Sequence, residues 1–247
     1  MKPDKYNFLV IGSNSFTGSH FVSYLLNYGI KVSGISRSRE LDAPFLSYKW
    51  NKNEKDDFNF FQYDINQNQE EITDLIKKEE FSHIINFAAQ SMVGQSWSFP
   101  EDWYTTNLVS ISKLINKIKD YDFIEKFVSV TTPEVYGSTN GWVKENFNFS
   151  PSTPYAISRA AQDLHLNAFF DNFNFPIVFT RAANVYGPGQ QLYRIIPRTI
   201  LSCLSEQKLL LHGNGLSERS FIHINDAIKA TIEICLNQES KNETEEE

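Results

Sequence analysis

Tyr155 and Arg159 stand one helical turn apart, so a phenol and a guanidinium share one face. A cation in that place lowers the phenol pKa and can hold a nicotinamide ribose, so that Tyr155 and Arg159 would meet the cofactor and Tyr155 could take a proton from a hydroxyl as hydride leaves its carbon. Thr132 and Glu134 are two positions apart at the end of an apolar run, which sends both side chains into one cleft. A hydride needs a carrier, and the segment Ile11-Gly12-Ser13-Asn14-Ser15-Phe16-Thr17-Gly18 has the form of a dinucleotide turn. Gly12 permits the tight turn and close phosphate approach, and Gly18 lets helix pack on strand. The helix start that carries Asn14, Ser15 and Phe16 offers unpaired N–H groups and a positive dipole end to a pyrophosphate. The usual fingerprint has a third glycine, so an ordinary tight turn is the competing reading. The place of this turn, after the first strand and before a long βαβ series, decides for the dinucleotide.

Further cofactor contacts follow from the same series. The second strand ends Ser36-Arg37 with no acid before Glu40. A carboxylate there suits the ribose 2′-hydroxyl of NAD, and an arginine suits a 2′-phosphate, so Ser36 and Arg37 favour NADP, with NAD the alternative. Asp64, followed by Ile65, falls after the third strand, where its side chain meets the adenine amine.

The elements that must hold these groups are legible as short β-rich runs alternating with helical patterns. Strands are expected at Tyr6–Ile11, Ile30–Ile35, Phe58–Tyr63, Phe81–Ala88, Lys126–Thr131 and Pro176–Thr180. Helices are expected at Thr17–Tyr28, Glu70–Glu80, Pro100–Lys119 and Pro154–Asn172. That alternation is the signature of an α/β fold, a Rossmann-type doubly wound parallel sheet. Residues 1–183 then form the dinucleotide-binding domain. From residue 184 the pattern changes to loop chemistry, a helix, a short strand Leu209–His212, another short element at Phe221–Ile224 and a helix over Asp226–Leu236. Residues 184–236 read as a small, partial substrate-binding region over the carboxyl ends of the sheet, and 237–247 as a disordered acidic tail.

Composition narrows the function classes. Of 247 residues 41% are hydrophobic, enough for a sizeable core, and the net charge of −7 with no Lys/Arg cluster argues against a nucleic-acid or anionic-membrane surface. No apolar run approaches the ~20 residues of a membrane span. Cys203 and Cys235 have no partner spacing, so neither a disulfide framework nor a metal site is expected, and a reducing cytoplasm is the simplest setting.

With the glycine turn, the segments Thr131-Thr132-Pro133-Glu134-Val135-Tyr136-Gly137, Tyr155-Ala156-Ile157-Ser158-Arg159 and Arg181-Ala182-Ala183-Asn184-Val185-Tyr186-Gly187-Pro188 resemble the extended short-chain dehydrogenase/reductase family. Within it they are most similar to the nucleotide-sugar 4,6-dehydratases acting on dTDP-glucose and GDP-mannose. The resemblance implies a hydride passing from sugar C4 to bound NADP with Tyr155 as base, loss of water across C5–C6, and hydride return to C6. It implies that Thr132 binds the sugar 4-oxygen and that Glu134 removes the C5 proton, a base that an epimerase does not need. It places Ala88 and Ala89, small enough for close cofactor approach, beside the nicotinamide, with Gln90 and Ser91 near sugar hydroxyls. It makes Asn184, Arg194 and Arg219 the candidates for the nucleotide diphosphate, and a homodimer the expected assembly. Two positions depart from the pattern. Arg159 replaces the usual lysine, keeping charge and donors while changing reach. Pro133 stands where the dTDP-glucose enzymes have an aspartic acid that protonates the leaving hydroxyl. The rivals are a nucleotide-sugar 4-epimerase or reductase on the same scaffold, and a catalytically idle NADP-binding protein.

Overall fold

The computed structural model describes every residue except 1–5, 51–56, 140, 212–214, 216–217 and 238–247. Six parallel strands form the central sheet: β1 (Phe8–Ile11), β2 (Val32–Ser36), β3 (Phe58–Gln62), β4 (His83–Asn86), β5 (Lys126–Val130) and β6 (Ile177–Thr180). They lie in the order β3-β2-β1-β4-β5-β6. The chain reverses its direction of travel between β1 and β4, and the crevice at their carboxyl ends is the place such a sheet leaves for a ligand. The doubly wound sheet expected from the alternating pattern is therefore present.

Successive strand residues point to opposite faces, and the two faces bury separate cores. Phe8 and Val10 of β1, Val128 and Val178 join α1 (Phe16–Asn27) on one side. Leu9 and Ile11, Phe127 and Ile177 join α2 (Gln69–Glu79) and the long α5 (Pro154–Phe173) on the other. The stretch expected as one helix over Pro100–Lys119 is three pieces: α3 (Pro100–Tyr104), a π turn at Thr105–Val109, and α4 (Ser110–Ile118). One face of α4 (Ile111, Leu114, Ile115 and Ile118) has no solvent exposure.

Beyond residue 183 the chain forms β7 (Asn184–Tyr186), α6 (Ile195–Leu204), β8 (Phe221–His223) and α7 (Ile224–Asn237). β7 and β8 pair in parallel as a separate two-stranded sheet. α7 packs back on the main body, burying Ile224, Ile228, Ile232 and Cys235 in the same core as α1. The strand expected at Leu209–His212 does not form: Leu209–Leu211 are irregular, and His212 lies outside the described residues. Among the described residues no strand pairs with this run, and β-propensity without a neighbouring ladder does not make a strand. The expected acidic tail, apart from Asn237, also lies outside the described residues.

The packing of α4 predicts a sharp contrast between adjacent positions. Leu114→Ala removes a wholly buried side chain and lowers unfolding stability by about 2–5 kcal/mol in urea denaturation, whereas Lys113→Ala, on the exposed face, changes it by less than about 0.5 kcal/mol.

Candidate functional site

A cavity of about 250 Å³ opens at the switch point, floored by the turn after β1 and walled by the ends of β2, β3 and β4. Gly12 has φ +87, and a Cβ added to it would lie 2.7 Å from the Ala88 nitrogen. A Cβ on Gly18 would lie 2.2 Å from the Gly12 carbonyl oxygen. Only glycine lets the turn, the first helical turn and the loop after β4 come together this closely. Ser15 is the N-cap of α1, its hydroxyl accepting the Gly18 N–H at 3.0 Å. The hydroxyl thus takes one end-group of the helix that a bare glycine would leave open, while the cap stays at the cavity wall.

Of the residues expected to hold the cofactor, Gly12, Asn14, Ser15, Ser36, Arg37, Asp64, Ile65, Ala88 and Ala89 line this cavity, and Gln90 joins them. Phe16, Gly18, Tyr155 and Arg159 do not. The Phe16 ring is buried in the core, edge-on to His20, so the backbone is what it can offer a phosphate. Asn14 is a clasp. Its N–H donates to the Ser36 hydroxyl at 2.9 Å, and its amide donates to the Ser38 and Arg39 carbonyls, both at 3.0 Å. Tyr48 donates to the Asn14 amide oxygen or to Glu40, at 3.2 and 3.0 Å. Burial, then the Glu40 charge, holds the Tyr48 phenol protonated far above the ordinary range. Arg37 stays exposed at the rim. Asp64 folds its own turn, accepting the Asn66 N–H at 2.8 Å.

The side chains expected to react sit at the ends of β5 and α5. Thr132 caps a 3₁₀ turn at Pro133–Tyr136, its hydroxyl accepting the Glu134 N–H at 3.2 Å. Pro133 occupies the first position of that turn, where a missing N–H leaves nothing unpaired. Tyr155 lies in the first turn of α5, capped by Thr153. Burial raises the Tyr155 pKa; Arg159, the Thr132 hydroxyl and Arg194 pull it down, and Glu134 pushes it up. Thr132, Glu134, Arg159 and Arg194 therefore all bear on the Tyr155 phenol. Glu134 is exposed as a whole residue, yet partial burial of its carboxyl raises its pKa, with Arg219 opposing. Arg159 is 1% exposed and donates to the Val130 carbonyl; its Nε and Nη1 are buried without a protein hydrogen-bond partner.

Asn184 is placed otherwise than expected. Its amide donates to the Ser220 carbonyl at 2.9 Å and so anchors the approach to β8 beside Arg219. Ser91 is exposed and outside the cavity. Asn107, unmarked by any motif considered above, is wholly buried in the π turn. It accepts the Gln90 N–H at 2.8 Å, donates to the Gln90 carbonyl at 3.0 Å, and donates to the Ser158 hydroxyl at 2.9 Å. It fastens the cavity loop to the helix carrying Tyr155, and the extra residue of the π turn is the local irregularity that accompanies this.

A family model described as GDP-mannose 4,6 dehydratase matches residues 9–245. The chain is 30% identical over 235 residues to the dTDP-D-glucose 4,6-dehydratase of Homo sapiens, covering 92% of this chain and 64% of that protein. It is 28% identical to the Dictyostelium discoideum protein of the same name, of which it spans 54%. It is similar to the structure of dTDP-glucose 4,6-dehydratase from Bacillus anthracis in complex with NAD: TM-score 0.80, 29% identity, 95% of this chain and 73% of that one. It is equally similar to UDP-glucuronic acid 4-epimerase from Bacillus cereus with UDP-glucuronic acid and NAD: TM-score 0.81, 26% identity, 95% and 74% covered. The chain spans less than two thirds of the length of the human and Dictyostelium relatives.

The crowding at Gly12 gives a direct test of the cavity. Gly12→Ala weakens binding of a reduced nicotinamide dinucleotide at least about tenfold, equivalent to ~1.4 kcal/mol, read by the cofactor's fluorescence; undiminished affinity would place the dinucleotide elsewhere.

Proposed function

The chain belongs to the GDP-mannose 4,6-dehydratase family, and from that premise we propose that it is a nucleotide-sugar 4,6-dehydratase acting on a nucleotide-diphosphate sugar. The observation that carries this reading is Glu134, a carboxylate of raised pKa that acts electrostatically on the Tyr155 phenol. One group serves C4 and the other C5 of a single sugar ring.

The residues present suit a nicotinamide dinucleotide. The Gly12 turn admits a phosphate where any Cβ would collide, and two buried Arg159 nitrogens await acceptors that ribose hydroxyls provide. When bound, the dinucleotide supplies the hydride acceptor and donor. NADP is the proposed form: Arg37 is exposed at the adenosine end, and Glu40, the first acid after β2, is held by Tyr48 and by Lys49 at 3.3 Å. NAD, present in the similar structures above, is the alternative.

Thr132 holds the sugar 4-oxygen while Tyr155 takes the proton of its hydroxyl. Once C4 is a ketone the C5 proton is acidified, and Glu134 removes it. The departing C6 hydroxyl needs a proton that Pro133 cannot give. Glu134 has just received one and delivers it, a bound water being the alternative carrier. Arg194 and Arg219 offer forked donors to the diphosphate. A homodimer in a reducing cytoplasm is the proposed setting, consistent with the unpaired Cys203 and Cys235.

A 4-epimerase reading is favoured by the absence of an acid at Pro133 and by the similarity to the B. cereus enzyme. Product analysis separates the two. Incubation with dTDP-, GDP-, UDP- and CDP-sugars yields a 4-keto-6-deoxy product that Glu134→Gln loses by at least about a hundredfold. An inverted C4 with oxygen retained at C6 would instead establish the epimerase.

The pH dependence has a definite sign. Glu134 must be ionised to act, burial raises its pKa, and so activity falls as pH drops through a value above the ordinary carboxylate range. Arg219 opposes that rise, so Arg219→Gln moves the acid limb of the kcat profile further upward. Arg37→Ala raises the KM for NADP at least about fivefold and leaves that for NAD nearly unchanged, measured in the same assay.

A further inference from the structure

Beneath the catalytic end of α5, beside Arg159, lie the buried carboxyl of Asp163 and the largely enclosed guanidinium of Arg181, neither of which the proposed reaction uses directly. Asp163 has no solvent exposure. Its Oδ2 accepts from the Thr131 hydroxyl at 3.1 Å and from Arg181 Nη2 at 3.0 Å. Its Oδ1 is buried with no protein hydrogen-bond partner, and one turn earlier on the same helix Nε and Nη1 of Arg159 are in the same condition. Arg181 is in turn enclosed by rings. Its guanidinium carbon lies 5.3 Å from the centre of Phe179, 5.5 Å from Phe149, 5.8 Å from Tyr136 and 5.9 Å from Phe147. Tyr136 closes the turn that carries Glu134, and Thr131 precedes Thr132.

We propose that Asp163 and Arg181 are positioning residues which set the charge that Tyr155 meets: two guanidinium groups share one carboxylate, and the excess positive charge reaches the phenol through Arg159. This rests on the reading of Tyr155 as the base. Two features separate it from simple packing. The cluster is desolvated, so its charges are weakly screened and its net charge, not its shape alone, is felt along the helix. Its members also touch both ends of the turn that carries Thr132 and Glu134, Thr131 before it and Tyr136 at its close.

The groups that bear on the phenol are few. Tyr155 faces Arg159 on its own helix, Thr132 and Glu134 from the turn after β5, and Arg194 at the start of α6. Glu134 faces Arg219 from the approach to β8. Burial raises the Asp163 pKa, and Arg159 on its own helix, Arg181 at the end of β6 and the Thr131 hydroxyl at the end of β5 oppose that rise. Removing the carboxylate charge adds one net positive charge about 12 Å along the helix from Tyr155; removing Arg181 takes one away. At an effective dielectric constant near 20, a charge at that range moves a titration by on the order of one pH unit.

The test is an ultraviolet titration of tyrosinate in the full chain, taken as the difference from Tyr155→Phe, which requires no turnover. Asp163→Asn shifts the Tyr155 midpoint down, Arg181→Gln shifts it up, and the double variant, with the original net charge, returns to the wild-type value. Arg181→Lys, which keeps the charge and loses the ring fit, titrates as wild type. Shifts of the same sign in both single variants, or no shift in variants whose circular dichroism shows them folded, would overturn the proposal. Should Asp163→Asn alone not fold, Arg181→Gln against the double variant and against Arg181→Lys still decides it. Turnover assayed alongside keeps the two readings apart. Loss of all activity toward sugars leaves the titration result standing, and a titration blind to cluster charge removes Asp163 and Arg181 whatever the turnover.

Discussion

The closeness of three backbone segments at the switch point governs the rest of the molecule. Gly18 faces the Gly12 carbonyl across a gap with no room for a methyl group, and Gly12 faces the Ala88 nitrogen in the same way. The start of α1 is thereby pressed against both β1 and the loop after β4, and its unpaired N–H groups end at the floor of the cavity. Every other element of the site takes its position from that contact. β4 places Ala88 and Gln90, Asn107 holds Gln90, and the same Asn107 reaches Ser158 on α5. The cofactor turn and the catalytic helix are thus parts of one polar framework, although more than a hundred residues separate them in sequence.

That framework is held by side chains whose hydrogen-bonding capacity is largely spent. Asn14 bonds the segment 36–39 at several points, Asp64 folds its own turn, and Asn184 anchors Ser220. Buried amides and carboxylates of this kind are stable only when their partners are present, which fixes the loops they join. The exceptions are informative. Arg159 keeps two buried nitrogens without a protein acceptor, and Asp163 keeps one oxygen without a donor. Both lie on the side of α5 that the phenol shares. A site that presents donors to a ligand leaves them unsatisfied until the ligand arrives.

Much of this was legible in the residues themselves. The glycine turn, the strand series and the Tyr155/Arg159 pair follow from spacing, because the side-chain period of each element dictates which residues share a face. The strand expected at Leu209–His212 was not legible, since pairing depends on a partner supplied from elsewhere, and β8 pairs with β7 instead. Nor was the role of Asn107: an asparagine within a helical pattern carries no mark of the π turn that turns it inward. Asp163 was hidden for a related reason. A carboxylate on a helix is ordinarily a solvated one, and only the fold brings Thr131, Arg181 and Arg159 around this one and buries it.

The two departures from the family pattern look less like losses when placed in this setting. Pro133 stands at the one position of its turn where a backbone N–H is dispensable, and Thr132 still caps the turn and still has a proton to donate. A proline there stiffens the approach of Glu134, and on the proposed dehydratase reading it leaves the acid–base duties to that single carboxylate of raised pKa. Arg159 is a larger cation than lysine and carries its charge at every accessible pH. Its guanidinium reaches the Val130 carbonyl at the end of β5 and still has two donors to spare. A permanent buried charge of that size requires a buried counter-charge nearby. Asp163, one turn on and paired with Arg181, is the carboxyl whose field Arg159 shares, so on the proposed reading the arginine at position 159 and the cluster beneath it are one arrangement.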